Sequence, residues 1–471
     1  MFDRLVHFSA RMTPLAIAVS NGAEHISYRD FDRAIDRAAA ALDRAGIAGP
    51  APVGISVRDS YRHLLLIIAC ARRGVPTVSL IPEMAGPMVV PAAGATKLLS
   101  DDPAHAPALL VDGPWLAAAL AAEPVALAPV AVDAQALGRV QLSSGSTGEP
   151  KAVGMSWALM ERRIEHTWTR NFGYERLLSL IGPESGALPL FLWCWAKGGT
   201  VLFGSSDPAI LARSLPILQP TGMLAAPAQL AVVLDALPAE ATPLPGLQIA
   251  IGGAHAAPKL RTRAALRLGA VNVTYASTEA GVCTNGFAAS LDSETAVGWI
   301  TPWSEIEIVD ERDNILPLGS SGRVRMRGSD VVGGYLGDGG PDDRFRDGWF
   351  YPGDIGAMRA DGMLEIEGRE DEVMNFGGQK FLPGALEGPV AMVPGVAGVA
   401  AFALEDAQGI AQPWLAIVRE GEIDEGAIGR ALVIPELPPV RVAYIDALPL
   451  TPLGKVRREM LREAARQLNV S

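Results

Sequence analysis

Residues 52–80 read PVGISVRDSYRHLLLIIACARRGVPTVSL. Pro52 to Val57 has the short, apolar, β-rich character of a buried strand, Tyr61 to Arg73 the length and content of a helix, and Gly74 to Leu80 returns to strand. Strand, helix, strand in that order predicts a parallel sheet, because a crossover is what brings the second strand alongside the first in the same direction. Upstream, the spacing of Phe31, Ile35, Ala38, Ala39 and Leu42 predicts a helix that ends near Gly46, with Ser27 or Asp30 available as its N-cap. Downstream, residues 81–140 are Ala/Pro-rich and weakly periodic, and their elements cannot be placed.

Further along, Gln248 to Ile251 and Val271 to Thr274 are short apolar segments that run into Gly252-Gly253-Ala254 and Tyr275-Ala276-Ser277. Loops beyond the carboxyl ends of parallel strands are where such sheets bind ligands. From Ile306 the pattern changes to short alternating strands, Ile306 to Val309, Val324 to Arg327 and Met363 to Ile366, separated by Gly/Asp turns. After Gly368-Arg369-Glu370-Asp371 the remainder reads as a small α+β domain. The expected fold is therefore α/β: a large N-terminal domain (residues 1–369) of parallel α/β sub-lobes plus a small antiparallel lobe, followed by a small α+β C-terminal domain (residues 370–471). A length of 471 residues, beyond what one hydrophobic core usually supports, agrees with that division.

Composition excludes several classes. With 49% apolar and 20% charged residues, and its 50 Gly and 36 Pro dispersed, the chain is neither disordered nor collagen-like. A net charge of −12 and the lack of a basic stripe argue against nucleic acid as a partner. The most apolar stretches, His63 to Ala71 and Trp115 to Ala122, fall short of the roughly 18 residues a membrane span needs. Three dispersed cysteines, Cys70, Cys194 and Cys283, indicate neither a disulfide framework nor a zinc site. The N-terminus, with Asp3 and no basic n-region, carries no signal-peptide pattern, so the expected compartment is the cytoplasm.

Chemistry concentrates in Leu142-Ser143-Ser144-Gly145-Ser146-Thr147-Gly148-Glu149-Pro150-Lys151. Gly145 and Gly148 let backbone amides approach an oxyanion, the hydroxyls add donors, and Lys151 adds charge, which suits a phosphate cradle. The Gly-to-Gly spacing of three, and Ala152 after the lysine, distinguish it from a Walker loop. On its residues alone it also suits a flexible surface turn. Only six of the 40 basic residues are lysines, so a lysine in such a motif is less interchangeable with a surface arginine.

This loop resembles the phosphate loop of the adenylate-forming superfamily of acyl- and aryl-CoA synthetases, peptide-synthetase adenylation domains and beetle luciferases. Further matches follow in the family's order over most of the chain: Tyr275-Ala276-Ser277-Thr278-Glu279, Trp349-Phe350-Tyr351-Pro352-Gly353-Asp354, Gly368-Arg369-Glu370-Asp371 continuing to Gly378, Lys380, Pro383 and Glu387, and Pro449-Leu450-Thr451-Pro452-Leu453-Gly454-Lys455-Val456-Arg457-Arg458. The resemblance implies activation of a carboxylic acid with ATP and Mg²⁺, then transfer of the acyl group to a thiol, coenzyme A or the phosphopantetheine of an acyl carrier protein. Transfer to an amine, or a non-catalytic nucleotide-binding homologue, are the alternatives.

By the same resemblance, Ser143, Ser144, Gly145, Ser146, Thr147, Gly148 and Lys151 hold phosphates, while Gly253, Ala254, Tyr275, Ala276 and Ser277 line the nucleotide and acyl site. Thr278 contacts the α-phosphate and Glu279 holds Mg²⁺, a hard ion suited to carboxylate oxygens. Asp354 receives the ribose hydroxyls and Arg369 adds a ribose or phosphate contact. Lys455 bridges the attacking carboxylate and the phosphate. Asp371 is the hinge about which a mobile C-terminal domain swings, and the loop from Val373 to Lys380 turns inward for the thiol step. The chain departs from the family pattern at Ala276, Pro352, Arg323 and Asn375. Trp193 and Trp195 either wall a short or aromatic acyl pocket or pack in the core. The Phe-Asp pair that grips an α-ammonium is missing, which favours a plain carboxylic acid over an α-amino acid.

Overall fold

The computed structural model describes residues 2–81, 94–105, 107–123, 127–143, 151–169, 174–337, 342–406, 408–450 and 456–469. They form two compact units, one of Met1–Ala289, Thr301–Glu305 and Arg327–Phe350, the other of Ser290–Ile300, Ile306–Met326 and Tyr351–Ser471.

The first unit holds two sheets. One contains the parallel series Thr77–Ser79, Val53–Ser56, Lys97–Ser100 and Leu109–Leu110, with Leu137–Ser143 parallel on the other side of Thr77–Ser79. Leu137–Ser143 then pairs antiparallel with Lys151–Ser156, and that strand with Tyr335–Leu336. The other sheet runs Ile17–Ser20, Thr200–Leu202, Arg176–Ser179, Gly222–Ala225, Gln248–Ile251 and Ala270–Ser277 in parallel, with His25–Ser27 and Gly281–Phe287 antiparallel at its ends.

The helices follow from local chemistry. Ser27 caps the helix Tyr28–Arg44, its Oγ accepting from the Asp30 amide at 3.2 Å, and Gly46 leaves it at φ +74°. Asp59 caps Ser60–Arg72 by accepting from the Arg62 amide at 2.7 Å. Every residue from His63 to Ala71 is buried, as expected of a helix that is apolar all round. Arg72 at its end ties back to Asp32 (2.7 Å) and Asp36 (2.8 Å) on the preceding helix. The elements left open between residues 81 and 140 include strand Lys97–Ser100 and helix Gly113–Ala121, which Asp112 caps.

Trp193 and Trp195 are both fully buried on helix Leu188–Ala196. The Trp195 indole donates to the Ala18 carbonyl at 2.8 Å and packs against Phe31 at 4.9 Å between ring centres, so the two tryptophans serve the core. All three cysteines are buried and form no disulfide, and burial pushes the thiols of Cys70 and Cys194 up to about 12, which keeps them inert. Among the described residues no helix is long and apolar enough to cross a membrane.

A polar cluster is buried beneath the strand leading to the glycine-rich loop. His63 Nδ1 lies 3.1 Å from the Val57 carbonyl, which can only accept, so Nδ1 carries the proton. Nε2 then accepts from Ser79 Oγ at 2.8 Å, and that hydroxyl in turn accepts from Arg139 Nη2 at 2.8 Å. Burial, reinforced by the Arg139 charge, lowers the His63 pKa to about 4. The sign follows. Between about 6.5 and 4 the unfolded chain binds a proton that the folded chain refuses, so stability present above 6.5 is lost as the pH falls, by about 1.4 kcal/mol per pH unit. Urea unfolding at pH 7 and pH 5 should show a drop about 2 kcal/mol larger for wild type than for His63→Gln; equal drops would refute it.

In the second unit, Ala296–Ile300, Met363–Arg369, Asp354–Met358 and strand Gly322–Gly328 as far as Met326 form an antiparallel sheet. The chain beyond residue 370 adds the hairpin Met374–Phe376 and Gln379–Phe381, the strands Val396–Glu405, Ala411–Arg419 and Arg441–Ile445, and the helices Pro383–Ala391, Glu425–Ala431 and Arg458–Asn469. Arg458 anchors the last helix: its guanidinium meets Glu372 and Glu387, each at 2.7 Å, and donates to the Ala401 carbonyl at 3.0 Å. Burial raises the Glu372 pKa against the pull of Arg458.

Candidate active site

In the first unit the parallel strand Gln248–Ile251 ends at Gly252, where a Cβ would stand 2.8 Å from Thr274 Oγ1 on the neighbouring strand. Gly253 follows at φ +87°, a backbone conformation that side-chain-bearing residues rarely adopt, and Ala254 continues the loop. The next strand, Ala270–Ser277, carries Tyr275, Ala276 and Ser277 to its carboxyl end. Ser277 Oγ accepts from the Ala280 amide at 3.0 Å, a tight turn that contains Thr278 and Glu279.

Glu279 is 6% exposed. Its Oε1 accepts from Tyr335 Oη at 2.8 Å, and Oε2 has no protein hydrogen bond among the described residues. Burial and the adjoining Glu279 carboxylate push the Tyr335 phenol well above its usual range, so it acts as a donor at ordinary pH. The Lys151 ammonium lies 4.6 Å from the Tyr335 ring centre and pairs with Asp342. Burial opposes ionisation of Asp342, but hydrogen bonds from Lys151 and the Arg344 amide hold its pKa below the usual carboxylate value. One phenol thus joins the lysine that closes the glycine-rich segment to the acidic residue of the strand-end turn. Ser143 lies at the end of its strand, half-buried; Ser144, Gly145, Ser146, Thr147 and Gly148 lie outside the described residues.

The second unit brings Asp354 and Arg369 together. Arg369 Nη1 donates to Asp354 Oδ1 at 3.1 Å and to the Pro352 carbonyl at 2.8 Å, while Nε and Nη2 reach Asp371 at 3.2 and 3.3 Å. Pro352 therefore still offers the acceptor that positions the arginine, although it has no amide to donate. Asn375 caps its own hairpin by accepting from the Gly378 amide at 2.9 Å, and Arg323 pairs with Asp313 at 2.9 Å. Lys455 lies outside the described residues.

Sequence reasoning missed Tyr335, Asp342 and Arg163. Each reaches the site from a distant segment, Asp342 lying 191 residues beyond Lys151. For Tyr335 the signal was local: Gly333-Gly334-Tyr335 is a strand-edge aromatic directly after a glycine pair.

Among the described residues no three His, Cys, Asp or Glu side chains cluster closely enough to hold a metal alone. Magnesium is commonly bound by one or two carboxylates together with a substrate's phosphates, and Glu279 fits that use. Glycine-rich strand ends beside a lysine and a buried carboxylate suit an α/β fold that handles phosphates. The family model for AMP-binding enzymes matches residues 6–336, and the chain belongs to that family.

The chain is 27% identical, over 96% of its length and 91% of the relative's, to a salicylyl-CoA synthase/salicylate adenylyltransferase of a Streptomyces species. It is also 26% identical, over 97% of its length, to the probable non-canonical nonribosomal peptide synthetase CymA of Salinispora arenicola, of which it spans 6%. Among solved structures it matches o-succinylbenzoate CoA synthetase, MenE, of Bacillus subtilis in complex with the acyl-adenylate OSB-AMP. That match has a TM-score of 0.85, with 97% of each chain covered and 18% identity, and it establishes a shared fold.

Proposed function

We propose that the protein activates a small carboxylic acid with ATP as an acyl-adenylate and then transfers the acyl group to the thiol of coenzyme A. The observation that carries this reading is the buried Glu279 carboxylate, fixed by Tyr335 beside Lys151 at the end of a parallel strand. In the first step an oxygen of the acid attacks the α-phosphorus and pyrophosphate leaves with the electrons of the broken P–O bond. In the second a thiolate attacks the acyl carbon and AMP leaves.

The 143–151 segment and Lys151 hold the phosphates, and Thr278 donates to the α-phosphate. Gly252, Gly253 and Ala254 allow close approach of the nucleotide and acyl group, which Tyr275 and Ala276 flank. Asp354 accepts the ribose hydroxyls and Arg369 keeps it oriented. Glu279 would hold Mg²⁺, whose charge would offset that of the phosphate oxygens. Lys455, on a C-terminal domain that begins at residue 370 and moves about Asp371, meets the attacking carboxylate.

Acid-dependent pyrophosphate release without any thiol tests the first step; none across a broad panel of aliphatic and aryl acids, salicylate included, would refute it. Replacement of Asp354 by alanine removes a charged acceptor of two hydroxyls, so the KM for ATP should rise on the order of 10–100-fold with a smaller change in kcat. An unchanged KM would remove Asp354 from the nucleotide site. A carrier-protein pantetheine is the second reading, favoured by the similarity to a segment of CymA. Supplying coenzyme A and a phosphopantetheinylated carrier in turn shows which thiol consumes the adenylate.

A further inference from the structure

We infer that Arg163 is a positioning residue for the Thr278–Glu279 turn, fixing the direction in which the Glu279 carboxylate faces the nucleotide; this rests on the reaction proposed above. Arg163 stands on helix Trp157–Thr169, directly after strand Lys151–Ser156, and is 8% exposed. Nη1 donates to the Thr278 carbonyl at 3.1 Å and reaches Met155 Sδ at 3.1 Å. Nη2 donates to the Glu279 carbonyl at 3.1 Å and to the Asp330 carbonyl at 2.6 Å. Two consecutive carbonyls of the acidic turn are thus held by two arms of one rigid fork, and fixing both peptide planes fixes the Cα–Cβ direction of Glu279 between them.

The arrangement is not an ordinary ion pair. The Asp330 carboxylate accepts from His166 Nδ1 at 2.9 Å, and the Glu279 carboxylate accepts from Tyr335, so neither hydrogen-bonds the guanidinium. A buried cation that hydrogen-bonds only neutral acceptors is expensive, and an apolar side chain would pack the same space at lower cost. What an apolar side chain cannot supply is the pair of donors to adjacent carbonyls. The turn runs close over the guanidinium: a Cβ on Gly281, at φ +68°, would lie 3.4 Å from Arg163 Nε. Arg163 also joins the turn to the strand that follows the phosphate loop, through Met155, and to the segment before Tyr335, through Asp330. Both fixings of Glu279, by its backbone and by its side chain, are thereby tied together.

The test compares wild type, Arg163→Met and Arg163→Lys by calorimetric binding of two nucleotides that undergo no turnover. These are α,β-methylene-ATP with Mg²⁺, and AMP without metal. If Arg163 positions Glu279, Arg163→Met weakens binding of the magnesium analogue on the order of 10–100-fold, the range typical for losing a group that orients a metal ligand. AMP binding then changes less than about threefold, because it does not use the carboxylate. Arg163→Lys keeps the charge but cannot span both carbonyls, and should fall between the two. A structural role alone would lower the melting temperature while leaving the ratio of the two affinities at its wild-type value, and that result overturns the inference. Where Arg163→Met fails to fold, the same ratio measured on Arg163→Lys decides. Absence of acid-dependent pyrophosphate release from the wild type would instead strike the reaction proposed, leaving the binding ratio to judge Arg163.

Discussion

Replacement of Lys455 by alanine is expected to slow acid-dependent pyrophosphate release on the order of 10²–10³-fold, while ATP binding stays within a few-fold of wild type. The reason is electrostatic. A carboxylate must approach a triphosphate, and two like unit charges about 4 Å apart repel by about 4 kcal/mol at the effective dielectric of a partly buried site. An ammonium between them removes that repulsion as the new P–O bond forms, and acts where charge is greatest in the transition state. Arginine should not restore the rate, since its planar fork cannot occupy the place of a compact ammonium. The second half-reaction separates this role from a structural one: synthetic acyl-adenylate offered with coenzyme A should be consumed by Lys455→Ala at close to the wild-type rate. Unchanged pyrophosphate release would remove Lys455 from the mechanism, and equal loss in both halves would remove the domain rotation.

Much of this framework was legible in the sequence because its determinants are local. Strand, helix and strand over residues 52–80 declare themselves by apolar character and length, and the cap of the preceding helix is narrowed to Ser27 or Asp30, of which the structure uses Ser27. The glycine pair after Ile251 announces itself by composition, whereas Thr278-Glu279 stands out only through the family resemblance. What stayed hidden is long-range or depends on helical phase. Arg162 and Arg163 are adjacent and chemically identical, yet Arg162 bonds the Ser329 carbonyl near the surface, whereas Arg163 lies under the acidic turn. The signal was present: Trp157, Met160, Ile164 and Thr167 mark the buried stripe of that helix, and Arg163 falls within it. The partnership of Lys151 with Asp342, and of Arg458 with Glu372 and Glu387, leaves no such trace, because nothing local distinguishes those carboxylates from solvated ones.

Glu279→Gln should reduce magnesium-dependent adenylation on the order of 10²–10³-fold, about the effect of deleting one preorganised electrostatic group, and raise the Mg²⁺ concentration needed for half-maximal rate. The amide keeps the shape of the side chain and an oxygen to accept from Tyr335, so the change isolates charge. Its effect on the fold should have the opposite sign. A buried carboxylate with one hydrogen bond costs free energy that a neutral amide does not, so the melting temperature should hold or rise as activity falls, the exchange of stability for function expected at a site built to receive a cation. Thermal unfolding without nucleotide, beside a magnesium titration of pyrophosphate release, measures both. Loss of stability with loss of activity would mean that Glu279 braces the turn rather than serving the metal. Retained activity would place the metal elsewhere, and with it the argument that a single carboxylate, held by Tyr335 and oriented from beneath by Arg163, completes the nucleotide site.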